Sequence, residues 1–151
     1  MLSDSTSVRP ATRDDWPAIR SLLEENYLPL DGAREHLADY LVALTDKVIV
    51  GCAGLERHED VALLRSVAVA PLMRAKGIGK LLTTRIMDEA RRTGVSRLYL
   101  LTLTAEDYFA SRGFVCQSPG SAPAALTASA EFQGVCPDSA VLMSVSLGQI
   151  R

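Results

Sequence analysis

The run Arg74-Ala75-Lys76-Gly77-Ile78-Gly79-Lys80 sets two glycines and three cations directly in front of an apolar stretch. Glycine lets bare backbone N–H groups approach an anion, and a helix N-terminus behind them favours negative charge. The chemistry this suggests is a cradle for a phosphate or pyrophosphate, with Arg74 and Lys80 adding charge. A plain tight turn with solvated cations would use the same residues. The stretch fails the Walker pattern, because position 81 is leucine and no glycine stands five residues before Gly79. It also fails G-x-G-x-x-G, since Leu82 occupies the third glycine position.

Two charged residues upstream are further candidates. Arg65 lies inside "VALLRSVAV", where a charge is costly unless it is paired or at a site. It could hold a carboxylate bidentately, or pack its stem and send its head to water. Glu56 follows "CAGL" and could take a proton or bind an amine, although an exposed loop carboxylate would look the same. His58 and Glu59 are weaker candidates on the same polar stretch.

The elements that would position these residues can be read from periodicity. Thr12 and Asp15 form a capping-box pattern, ahead of Trp16, Ile19, Leu22 and Leu23 on one helical face, with Pro17 harmless in the first turn. A second helix is expected from Asp31, with Leu37, Tyr40, Leu41 and Leu44 inward. Residues 47–55 and 61–69 read as a hairpin-like pair of strands, the second ended by Pro71. Ile78, Leu81, Leu82, Ile86, Met87 and Ala90 trace a helical stripe, stopped by Gly94. "SRLYLLTLT" reads as a buried strand, "AEDYFASRG" as a short helix and "FVCQ" as a strand. Residues 118–138 are rich in Pro, Ser, Ala and Gly, with a short helix around 124–132, and "AVLMSVSL" closes the chain as a strand. The result is one α/β domain over residues 8–151, a mixed sheet covered by helices, after a flexible polar lead-in at 1–7.

At 151 residues the chain suits a single core, and a net charge of −2 recommends neither nucleic acid nor an anionic membrane as partner. No apolar run is long enough to span a bilayer, and the N-terminus lacks a signal-peptide pattern, so a cytoplasmic location is expected. Cys52, Cys116 and Cys136 are far apart and form no C-x-x-C, which leaves zinc and dithiol motifs unsupported. A three-thiolate site for a soft metalloid is conceivable but nothing in the spacing assembles it. No metal is expected.

"LLRSVAVAPLMRAKGIGKLLTTRIMDEARRTGVSRLYLLT" resembles the acetyl-CoA-binding core of the GNAT family of N-acetyltransferases. Arg74, Gly77 and Gly79 match that family's R/Q-x-x-G-x-G/A motif, and "YFASRGF" its later helix ending in Gly-Phe. The likeness spans about residues 8 to 117. It implies a mixed, mostly antiparallel sheet flanked by helices, with acetyl-CoA as donor and a small amine as acceptor. It implies that Arg74, Ala75, Lys76, Gly77, Ile78, Gly79 and Lys80 hold the pyrophosphate. The main chain of Val67 and Val69 would bind the pantetheine arm and polarise the acetyl carbonyl. Thr102 stands where many members carry a coenzyme-contacting asparagine, with Thr104 two residues on.

The chain also departs from the pattern. Leu63 occupies the position of the common glutamate base, which leaves Glu56 as the best replacement. Phe109 replaces the usual tyrosine acid and would sit beside the coenzyme. Tyr108 is one residue earlier, rotated by about 100° on a helix, and could serve as acid only if the helix is displaced.

"LLTLTAEDYFASRGF" resembles the corresponding part of the N-acetylglutamate synthases, which suggests an amino-acid α-amine as acceptor, with Arg65 and Thr104 toward it. "VGCAGLE", "ALLRSVAV", "LYLLT" and "SAEFQGVCPDSAVLM" look like small acetyltransferases associated with arsenic resistance. The last segment would be a lid bringing Ser129 and Glu131 to the acceptor, or only a packing segment. Two rival readings are a protein or peptide acetyltransferase and a non-catalytic acetyl-CoA-binding regulator. A homodimer is a further expectation, with the final strand available for pairing.

Overall fold

The computed structural model describes residues 6–127 and 140–148. Its core is a seven-stranded sheet in the order β1-β2-β3-β4-β5-β7-β6. The strands are β1 Ser7–Pro10, β2 Tyr40–Thr45, β3 Val48–His58, β4 Val61–Val69, β5 Arg97–Thr102, β6 Val115–Gln117 and β7 Val141–Ser146. Among the described residues, helices α1 Trp16–Glu25, α2 Ile78–Arg92, α3 Glu106–Ala110 and α4 Ala124–Thr127 accompany the sheet. Among the described residues every strand pairing is antiparallel except that of β4 with β5.

Two apolar layers enclose the sheet. Ile78, Leu82, Ile86 and Ala90 recur every four residues along α2, so one stripe of that helix is buried against Ala53, Leu55, Leu64 and Leu98. Each such leucine or isoleucine stabilises the fold by about 1.5–3 kcal/mol. The helix approaches the sheet so closely that a Cβ on Gly51 would lie 2.8 Å from Leu82 Cδ1 and 3.1 Å from the Ala68 carbonyl oxygen. On the opposite face Ile19, Leu22 and Leu23 of α1 pack with Leu37, Tyr40, Val42 and Cys52.

Several sequence expectations need correction. The second helix expected from Asp31 is a 3₁₀ turn, Arg34–Asp39, followed by strand β2. Tyr40 and Val42 face the α1 layer while Ala43 faces the α2 layer, so both sides of β2 are covered and its apolar residues show no strand-like alternation. The final strand is not free for pairing with another subunit, because β7 lies between β5 and β6 and is hydrogen-bonded to both. The expected lead-in at 1–7 overlaps the first strand. Ser7 already belongs to β1, and Thr6 Oγ1 lies 3.1 Å from Thr45 Oγ1, while residues 1–5 fall outside the described residues. Of the short helix expected around 124–132, α4 is the part within the described residues.

The capping pattern before α1 is present as a 3₁₀ turn. The Asp15 carboxylate accepts the Thr12 backbone N–H at 2.7 Å and two Arg9 guanidinium bonds at 2.7 and 3.0 Å. The Arg9 bonds lead in holding the Asp15 carboxyl down at about 2, against an opposing push from burial. Among the described residues, no helix is long and apolar enough to cross a membrane.

Candidate active site

The site begins where two parallel strands part. β4 pairs with β5 only over Val61–Leu63 and Arg97–Tyr99, after which the strands diverge. A cavity of about 710 Å³ occupies the gap. Leu64 to Val67 of β4 form one wall, Leu100 to Ala105 another, and Asn26 to Pro29 a third, with Phe109 and Ala140 completing it. Buried backbone groups need partners, so main chain facing such a gap suits an extended ligand that carries amides of its own.

A bulge deforms β4 at this point. Cys52 pairs with Ala68 and Gly54 with Arg65, so Ser66 and Val67 together oppose the single Ala53. Ser66 takes a left-handed φ of +60°. Both bulged residues, Ser66 and Val67, line the cavity. Val67, whose main chain is the polarising group the family resemblance implies, is on this wall.

The glycine loop lies at the end of β4. The chain leaves Val69 through a 3₁₀ turn, Pro71–Met73, passes Ala75 at φ +65° and caps α2 with Gly77 at φ +83°. The 15-residue helix then directs its first N–H groups and its dipole back toward the loop. A Cβ built on Gly79 would meet only Val69 Cγ2, at an ordinary 3.7 Å. The protein's own packing therefore does not demand glycine at 79, whereas close approach of a phosphate to the backbone would. These residues fit a pyrophosphate.

The loop side chains differ in role. Ile78 is buried in the α2 layer, so only its main chain is available to a ligand, while Lys76 and Lys80 are exposed. Arg74 Nη2 donates to Asn26 Oδ1 at 2.6 Å. Asn26 Nδ2 in turn donates to the Leu22 carbonyl at 2.8 Å and the Val69 carbonyl at 3.3 Å. Asn26 thus ties the loop, the end of β4 and the last turn of α1 together.

Glu56 is a buried strand residue, in contrast to the loop carboxylate its polar neighbours suggest. Its side chain is 3% exposed and that of its partner Arg65 is 0% exposed. Arg65 Nη1 donates to Glu56 Oε1 at 3.0 Å, and His58 Nε2 lies 2.8 Å from Glu56 Oε2. His36 Nε2 is 3.9 Å from Oε1. Burial pushes the Glu56 carboxyl up, but the His58 and Arg65 hydrogen bonds and the nearby charges outweigh it, and the net shift is downward. Glu56 is not among the cavity-lining residues. Arg65 does line the cavity, yet its Nη2 also donates to the Asp31 carbonyl at 2.6 Å. Its guanidinium fastens the segment after Pro29 to β4, and two of its donors are already engaged.

Thr102, Thr104 and Phe109 come together on the cavity wall. Thr102 Oγ1 accepts the Ala105 backbone N–H at 3.0 Å, shaping the entry to α3. Tyr108 is placed elsewhere. Its hydroxyl donates to Thr83 Oγ1 of α2 at 3.3 Å, its ring meets Phe109 edge-on at 5.1 Å, and it does not line the cavity. Glu131 and Ser129 lie outside the described residues. Cys52 is buried, its thiol pushed up to about 12 chiefly by desolvation, and Cys116 is exposed beside Glu106. Cys136 lies outside the described residues. Among the described residues no cluster of His, Cys, Asp and Glu could hold a metal ion.

Sequence reasoning missed Asn26, Tyr40 and Ser66. Only Ser66 carried a signal, as a small polar residue inside an apolar strand next to a charge.

A splayed β4–β5 pair, a bulge at the split and a glycine loop capping the next helix define an acyl-coenzyme-A transferase fold. The chain belongs to the acetyltransferase (GNAT) family, whose pattern matches residues 6–115. It is an acetyltransferase domain of a family that takes acetyl-CoA as donor. The amino-acid acetyltransferase of Neisseria meningitidis serogroup A is 33% identical over 126 residues, covering 78% of this chain and 29% of that protein. N-acetylglutamate synthase from Neisseria gonorrhoeae, solved with coenzyme A and N-acetyl-glutamate, superposes with a TM-score of 0.83 at 28% identity. That match covers 97% of this chain and 36% of the synthase chain. Rv2747 of Mycobacterium tuberculosis, in complex with CoA and NLQ, gives a TM-score of 0.80 at 25% identity over 94% of this chain and 99% of its own. The chain spans under a third of the length of the Neisseria meningitidis relative it matches.

Proposed function

We propose that this chain transfers an acetyl group from acetyl-CoA to the amine of a small, amino-acid-like acceptor. The observation that carries the reading is the cavity between the parted strands, where the bulged β4 main chain, Thr102 and the Asn26–Pro29 wall surround one small space. Relatives named as amino-acid acetyltransferases support an amino acid over a peptide.

Acetyl-CoA, when bound, supplies a thioester whose C–S bond breaks as the C–N bond to the amine forms, one amine proton passing to solvent. The Val67 main chain polarises the acetyl carbonyl, a donor aimed where charge develops. The Gly77–Lys80 backbone fixes the pyrophosphate, and the Asn26–Arg74 bond orients the loop cation toward it. Glu56 acts through Arg65: its carboxylate holds the guanidinium that fastens Asp31, and so the third cavity wall. A carboxyl held below its ordinary range is a weak proton acceptor, which favours this positioning role over that of base. Tyr108 sits against Thr83, so protonation of the leaving thiolate falls to water at the exposed rim.

Among amino-acid acceptors, the tail likeness to arsenic-resistance acetyltransferases adds an amino-acid-like arsenical to the candidates. Most of that tail lies outside the described residues. A homodimer would use surfaces other than β7, and a cytoplasmic setting suits a soluble coenzyme donor.

The test is thiol release from acetyl-CoA across free amino acids, glutamate analogues bearing phosphinic or arsinic groups, polyamines and basic peptides. Turnover confined to amino acids and their analogues supports the reading. Turnover only on peptides would replace it, and coenzyme binding without any turnover would make the chain a regulator.

A further inference from the structure

The bulge carries a side chain that donor binding leaves unused. Ser66 holds a left-handed φ of +60°, a conformation that residues with a Cβ rarely adopt and that clusters at functional sites. Its hydroxyl lies 2.7 Å from Tyr40 Oη in a buried contact. Tyr40 comes from β2, and its ring crosses β3 because position 54 there is glycine. A Cβ at Gly54 would fall 2.2 Å from Tyr40 Cε1. Three adjacent strands therefore each contribute to one hydroxyl pair, and Ser66 itself lines the cavity beside Val67.

A serine hydroxyl offers one donor and two acceptor lone pairs, so whichever partner donates in the Tyr40 bond, at least one Ser66 lone pair remains. With Leu63 at the family's base position and Glu56 off the cavity wall, Ser66 is the buried hydroxyl next to the polarising main chain.

We propose that Ser66 is an acceptor-contacting residue. Its hydroxyl, fixed by Tyr40, accepts a hydrogen bond from the attacking amine and turns the nitrogen lone pair toward the acetyl carbon polarised at Val67. Ser66 takes no proton itself, and the amine proton leaves through solvent. The assignment rests on the acetyl-transfer reading above.

Glycine at position 66 separates contact from architecture, because a left-handed φ suits glycine better than serine. Ser66→Gly gives up the Tyr40 hydrogen bond while relieving the left-handed strain, so it is expected to fold and to bind acetyl-CoA within twofold by calorimetry. Its kcat on the best acceptor amine is expected to fall at least tenfold. Tyr40→Phe, which keeps the Ser66 hydroxyl but frees it, is expected to lose kcat to a smaller extent. Ser66→Ala supplies the same comparison with the Cβ retained. A Ser66→Gly or Ser66→Ala kcat within twofold of the parent would overturn the assignment while leaving acetyl transfer intact. A parent that turns over no amine would overturn both.

Discussion

Replacing Glu56 by glutamine removes a charge from a buried pair while keeping the side chain's shape. The carboxylate accepts Arg65 Nη1 at 3.0 Å and contacts His58 Nε2 at 2.8 Å, with Glu56 3% and Arg65 0% exposed. Breaking a buried ion pair from one side costs about 3–5 kcal/mol, because a buried guanidinium loses a counter-charge at 3.0 Å. Glutamine keeps one carbonyl acceptor for Arg65, worth about 1 kcal/mol, so the net loss is about 2–4 kcal/mol. For a domain of this size that lowers Tm by about 5–15 °C. The sign with pH follows from the downward shift. Glu56 stabilises the fold fully above its ordinary value of 4.5, and the contribution is lost as pH falls through the lower folded value. Urea melts of parent and Glu56→Gln should differ most near neutrality and converge in acid. Adding Arg65→Met should recover part of the loss, since the buried guanidinium that lost the carboxylate goes too. A Glu56→Gln variant as stable as the parent at neutral pH yet without turnover would refute the reasoning and make Glu56 the proton acceptor.

Three further outcomes follow from single distances. Gly79→Ala should melt no lower than the parent, since its Cβ meets only Val69 Cγ2 at 3.7 Å, while calorimetry should show acetyl-CoA binding weakened at least tenfold. Unchanged coenzyme affinity would remove the phosphate cradle. Gly54→Ala should destabilise by about 3 kcal/mol in urea melts, because the new methyl would lie 2.2 Å from the Tyr40 ring. For Asp15→Asn, the stability difference from the parent should be full above about pH 3.8 and vanish as pH falls through about 2, the folded pKa of Asp15 being depressed. A difference that persists below that range would mean the Arg9–Asp15 pairing is not its source.

What was legible in the sequence was local. The glycine loop, its helix and the β3–β4 hairpin are each set by residues within a few positions of one another, so spacing alone reveals them. β2 was misread because Leu37, Tyr40, Leu41 and Leu44 keep helical spacing, while two covered faces erase the alternation that marks a strand. The burial of Glu56 could not be read, because its partners Arg65 and His36 arrive from β4 and from the Arg34–Asp39 turn. Ser66 needed the bulge, which exists only through its register with Ala53, and Tyr40 needed the gap at Gly54 in a neighbouring strand. In each missed case the informative quantity was a pairing across strands or layers, which composition and period do not encode.

The most direct test of the central claim is product identification. The chain is incubated with acetyl-CoA and a mixture of free amino acids, and the products are resolved by mass spectrometry. The account predicts a single dominant N-acetyl amino acid formed in step with thiol release. Thiol release with no acetylated amine, or acetylation found only on an added peptide, would contradict it.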